Sequence, residues 1–172
     1  MQSLDLLVFV LIAVCGVTDI HAGKIYNKAT YPAIVLGFAW NAWIAGAPGF
    51  KSSLLGFTVA AILMGTLTLL GGMGGGDTKL LAAIGALKGY PFILAVLFYS
   101  FLVGGALALT VAIWQKRLLG TLGRVWRMLF AAVMYRLNPA AEPEERMSYK
   151  IPFGVAICVG TLWAQLVEIL RN

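Results

Sequence analysis

The stretch PFILAVLFYSFLVGGALALTVAIW, Pro91 to Trp114, carries no charged residue over 24 positions. A spanning helix needs about 20 predominantly apolar residues, so this segment alone crosses a bilayer. The rest of the chain has the same character. Of its 172 residues 60% are hydrophobic and 12% charged, with a mean hydropathy of +0.88, whereas a soluble domain is about 25% charged. Further apolar stretches run from Leu4 to Thr18, Tyr31 to Gly46, Ser53 to Leu70, Thr78 to Gly89 and Ile151 to Leu170. The reading is an all-α polytopic membrane protein with about six transmembrane helices, forming a single domain over residues 1–172. The stretch from Thr78 to Gly89 is short for a full crossing, which implies tilting or local thinning of the bilayer.

Six spans put both termini on one side. The loops after the first, third and fifth spans then hold ten of the thirteen basic residues, and only Lys51, Lys88 and Arg171 fall on the other face. Basic residues collect in cytoplasmic loops, so the net charge of +6 is expected to report topology and not nucleic-acid binding. Between Gln115 and Lys150 the hydropathy drops. Leu118, Leu122, Val125, Leu129, Val133 and Leu137 recur at three- and four-residue steps opposite Arg117, Arg124, Arg127 and Arg136. That pattern predicts a basic amphipathic cytoplasmic segment at about 115–150 lying against lipid headgroups. The two cysteines, Cys15 and Cys158, sit in separate apolar stretches, a distribution that draws neither a disulfide framework nor a four-cysteine zinc site.

Asp19 and Asp77 stand at the ends of apolar stretches on the expected cytoplasmic face. An acidic side chain at membrane depth costs roughly 2.5 kcal/mol or more, which makes it a functional candidate by default. Asp77 also closes the run Gly71-Gly72-Met73-Gly74-Gly75-Gly76-Asp77. Glycines leave room for close backbone approach, and they serve equally in a flexible turn or in small-residue helix packing. Two carboxyls in one site cannot both ionise cheaply. They are therefore suited to acid–base hydrolysis of a peptide bond, and equally to a proton or cation relay in a small transporter or assembly subunit.

Gly74-Gly75-Gly76-Asp77-Thr78-Lys79-Leu80-Leu81 resembles the G-x-G-D-x-K-L-L signature of type IV prepilin peptidases. Asp19-Ile20-His21 through Ile25-Tyr26-Asn27 is similar to their first motif, D-x-R-x-x-x-I-P-N, with His21 at the usual arginine and Tyr26 at the usual proline. Ile151-Pro152-Phe153-Gly154 resembles the I-P-F-G stretch that opens their last helix. The matches span residues 19 to 154 in the family's order.

The resemblance implies a membrane aspartic endopeptidase with Asp19 and Asp77 as its catalytic pair, and Gly74, Gly75, Gly76, Lys79, Asn27, Pro152, Phe153 and Gly154 shaping the site. It implies no metal and no cofactor. The expected partners are a prepilin or pseudopilin substrate and membrane lipid, in the bacterial cytoplasmic (inner) membrane with the active site facing the cytoplasm. Many relatives carry a cytoplasmic insert with paired C-x-x-C motifs and N-methyltransferase activity. The short cysteine-free loop after the first span is similar instead to the compact, peptidase-only branch of Flp-type tight-adherence pili. Presenilin-like proteases share G-x-G-D, but their first aspartate follows a tyrosine in mid-helix, whereas Asp19 follows Thr18 at a helix end.

Other polar residues have plainer expected roles. His21 has no metal-binding companions and reads as a solvated interfacial residue. Lys79, two residues from Asp77, is an interfacial anchor or a cation that favours the ionised aspartate. Asn41 and Gln165, inside apolar spans, are expected to be interhelical hydrogen-bond glue.

Overall fold

The computed structural model describes residues 2–69, 74–114 and 153–171. Five helices follow in chain order: α1 (Gln2–Ala22), α2 (Asn27–Leu69), α3 (Gly75–Lys88), α4 (Phe92–Trp114) and α5 (Phe153–Arg171). Among the described residues four of these, all but α3, are long and apolar enough to cross a membrane. α2 is two arms, residues 27–45 and 47–69, joined at Gly46 with φ 61° and ψ −142°. With α3, the described residues thus form six helical arms, in line with the expected all-α, roughly six-helix protein.

The linker expected between Gly46 and Ser53 is absent, because the helix resumes directly after Gly46. A positive φ costs glycine nothing for want of a Cβ, so the chain turns within one residue. Pro48 follows in the first turn of the second arm, where a proline is tolerated.

α3 is the buried centre. Every residue from Leu80 to Leu87 is buried, as expected of a helix apolar on all sides. At 14 residues it is about 21 Å long, against a hydrocarbon core of about 30 Å, and the two arms of α2 grip it along its length. A Cβ added to Gly37 of the first arm would stand 2.6 Å from the Ala86 backbone, and Gly56 of the second arm meets Gly85 backbone to backbone. Such approach needs small residues.

The last carbonyls of a helix have no partner within it, and here α2 supplies partners. Asn41 Nδ2 donates to Ala86 O at 3.2 Å and Leu87 O at 2.9 Å, and Ser53 Oγ donates to Ala86 O. Asn41 therefore takes its expected role as interhelical glue. Gln165, expected to do the same, is buried on α5 with neither amide atom hydrogen-bonded among the described residues.

α1 runs antiparallel to α3, and α5 runs alongside α3. At one end of the three, Lys88 Nζ lies 2.6 Å from Asp5 Oδ1 and 2.7 Å from Glu168 Oε2. α4 packs on α5 through the Phe101–Phe153 and Tyr99–Trp163 rings and a close contact of Gly160 with Ser100. Large apolar side chains such as Leu6, Trp43, Leu102 and Ile169 are exposed on α1, α2, α4 and α5, and none on α3. An outer surface of that kind is solvated by lipid. The protein is an integral membrane protein.

The chain divides into two compact units. Met1–Gly104 with Pro152–Asn172 contains the packing just described. The second, Gly105–Ile151, is described only over residues 105–114, the last turns of α4. The amphipathic segment expected at about 115–150 lies outside the described residues, as do Gly71 to Met73 and Pro152.

Candidate active site

Asp19 lies in the last turn of α1, which continues past the expected end at Thr18 and stops at Ala22. Gly23, with φ 58°, donates its backbone N–H to Asp19 O at 2.8 Å. A left-handed glycine closing the last turn is a common helix stop. The carboxylate is partly buried, and its Oδ2 is fully buried with no hydrogen bond among the described residues. Gly154, in the first turn of α5, packs directly on it. A Cβ added there would run into Oδ2 and stand 2.8 Å from Cγ.

Asp77 is the third residue of α3, after the N-cap Gly74 (φ −78°, ψ 141°), which offers no side-chain cap. Its N–H donates to Gly74 O at 3.1 Å. An acid in a first helical turn meets the positive end of the helix dipole. The three described glycines of the run have different surroundings. A Cβ on Gly74 would stand 3.2 Å from Asp77 Oδ2, one on Gly76 would stand 3.1 Å from Ile25 Cβ, and one on Gly75 would meet nothing within 4 Å. Gly76 therefore seats the α1–α2 connection against α3. Thr78 is tied to Thr68 at 2.7 Å, which fixes the same end of α3 to the second arm of α2.

Asp19, near the end of α1, and Asp77, near the start of α3, stand at the same end of the bundle, where Ile25, just after α1, packs on Gly76. Among the described residues neither aspartate forms an ion pair. Lys79 points elsewhere, because positions two apart on a helix do not share a face. Its Nζ donates to Asn27 Oδ1 at 2.9 Å and lies 5.5 Å from the Tyr31 ring centroid. Asn27 and Lys79, expected near the site, are thus bonded to each other and link the first and second motifs. Phe153 faces Gly104 and the Phe101 ring. His21 is exposed at the end of α1, in keeping with its solvated reading.

Two carboxyls brought close together can divide the work of a general base and a general acid. Sequence reasoning named Gly154 and Gly76 but not the contacts that give them their place. It also counted Lys88 among the outlying basic residues and overlooked its partners. The signal was present: Asp5, Lys88 and Glu168 are charges inside apolar stretches, and such charges are rare without pairing.

Fold and site define a membrane-embedded helical protein that holds two carboxyls at one end of a buried helix. Residues 6–109 match the model of the type IV leader peptidase family, and the chain belongs to that family. It is similar to the prepilin leader peptidase/N-methyltransferase of Bacillus subtilis (strain 168), with 34% identity over 116 residues, 62% of this chain and 45% of that protein. The match therefore spans less than half of the relative's length. No solved structure matches.

Proposed function

We propose that this chain is a prepilin leader peptidase, an aspartic endopeptidase that removes the leader from Flp-type prepilins or pseudopilins at the cytoplasmic boundary of the inner membrane. The observation that supports the reading is that Asp19, its Oδ2 buried without a hydrogen bond among the described residues, and Asp77 stand at one end of the bundle, where Ile25 packs on Gly76. Family membership supports it.

In this reading the ionised aspartate takes a proton from water and the protonated one polarises the scissile carbonyl. Water and two carboxyls suffice. The two roles are assigned to the dyad and not to one residue. Gly154 and Gly74 keep methyl groups away from the two carboxylates, which suits a scissile bond next to a small residue. Lys24, Lys28 and Lys79 lie at the dyad end of the bundle, and Lys51, Lys88 and Arg171 at the other. The positive-inside tendency then supports a cytoplasmic site. A substrate with a basic cytoplasmic leader and an apolar helix in the lipid presents its junction at that depth.

The test is to incubate the purified full chain in lipid nanodiscs with a synthetic Flp-type prepilin and follow the products by mass spectrometry. Release of the intact leader, absent when Asp19→Asn replaces the parent, is expected. A prepilin that stays whole over many hours would overturn the proposal.

A further inference from the structure

We propose that Asp5, Lys88 and Glu168 form a clamp that sets the axial register of α1, α3 and α5, and through it the positions of the Asp19 and Asp77 carboxyls. The three are positioning residues for the cleavage proposed above, and the effect on rate rests on that reading. Each helix carries a clamp residue at one end and a site residue at the other. On α1 these are Asp5 and Asp19, on α3 Lys88 and Asp77, and on α5 Glu168 and Gly154. At 1.5 Å per residue the clamp stands about 17 to 21 Å from the site along each axis.

Three observations point to the clamp as the source of register. Among the described residues no hydrogen bond or ion pair joins α1 to α3 at the aspartate end, where both helices carry an acidic side chain. The contacts between the helices are mainly apolar, with Val8, Leu11, Leu80 and Ile84 in one buried cluster. Sliding by one residue exchanges one such contact for another. The ion pairs do not tolerate sliding: Lys88 is only 6% exposed, its Nζ touches both carboxylates and lies 4.6 Å from the Phe92 ring centroid. A buried charge that loses its partner is strongly disfavoured, and fixing register is the best-attested use of such groups. A displacement of about 1 Å at reacting groups can cost on the order of a hundredfold in rate, so the register of distant ends reaches the chemistry.

The experiment has one arm that needs no activity. In a Cys15→Ala, Cys158→Ala background, cysteines at Ile25 and Gly76, whose Cβ positions are about 3.1 Å apart, should cross-link rapidly on mild oxidation. Adding Lys88→Met should slow the cross-link about tenfold, and Lys88→Arg should restore it to within about threefold. In the second arm, without the new cysteines, Lys88→Met should lower kcat about tenfold with KM nearly unchanged, and Lys88→Arg should recover kcat. Should Lys88→Met fail to fold, Asp5→Asn and Glu168→Gln, which each leave one ion pair, are measured in its place with about threefold effects expected in both arms. Parental cross-linking rates in folded clamp variants, or a loss of kcat that arginine does not rescue, would overturn the clamp. A parent chain that cleaves no prepilin overturns the function alone, and the cross-linking arm still decides the clamp.

Discussion

The two ends of α3 treat charge in opposite ways. At its C-terminus a single cation, Lys88, is enclosed by two carboxylates, and the last carbonyls are met by Asn41 and Ser53. At its N-terminus neither Asp77 nor the nearby Asp19 has an ion pair among the described residues, and Asp19 Oδ2 is buried there without a hydrogen bond. Buried polar groups are ordinarily paired. Among the described residues the buried charge is paired at one end of α3 and the carboxyls at the other are not, a division that fits a separation of holding from reacting. In the proposed function the paired end is structural, and the two carboxyls at the other end keep donor and acceptor capacity for a substrate and water.

The largest effect should come from removing that capacity. Asp19→Asn and Asp77→Asn keep the shape but cannot exchange a proton, so each should lower leader cleavage by at least about 10² to 10⁴ fold. Neither should reduce thermal stability by much, because asparagine keeps the size and shape of aspartate and neither carboxylate has an ion pair to lose among the described residues. Cleavage rates and melting curves of the purified variants check both halves. A variant that cleaves at near-parental rate would erase the contrast between the ends.

Next in size is the crowding of Asp19. Gly154→Ala puts a methyl group into the Asp19 carboxylate, whereas Gly75→Ala meets nothing within 4 Å. If placement of the carboxyl governs the rate, Gly154→Ala should cost about a hundredfold in kcat and Gly75→Ala less than about threefold, since alanine is well tolerated where the backbone allows it. Initial rates for the two variants, measured side by side, give the ratio. Equal effects would show that the glycines act through general flexibility.

The fold was legible because apolar length is a direct signal for spanning helices. Pro91 to Trp114 announces α4 without help from neighbours. What failed was local: the loop expected after Gly46 depends on one φ angle, which composition does not encode. The two aspartates were visible as costly charges, and the motif order paired them. The contacts Gly154–Asp19, Gly76–Ile25 and Asn27–Lys79 were not visible, because they join residues from separate helices whose packing no spacing along the chain reveals. Lys88 shows the converse, a residue whose burial makes sense only beside Asp5 and Glu168, 83 and 80 positions away.

The smallest expected effect on rate lies at the paired end, and it sharpens the contrast most. Asn41 serves the Ala86 and Leu87 carbonyls together, and only Ala86 has a second donor, Ser53. Asn41→Ala therefore leaves Leu87 O without this partner in the bundle interior, a loss of about 1 to 3 kcal/mol. For a chain of this length each 1 kcal/mol shifts Tm by roughly 2 to 4 °C, so the midpoint should fall by about 2 to 12 °C. Ser53→Ala should cost less, because Ala86 O keeps the Asn41 amide. Both residues hold α2 to α3 and leave the α1–α3 contact untouched, so kcat per folded molecule should stay within about twofold of the parent. Thermal unfolding in one detergent, with rates corrected for the folded fraction, measures both quantities. A fall in kcat of tenfold with Tm unmoved would mean that the carbonyl end of α3 acts on the chemistry directly and that the two ends are not separable.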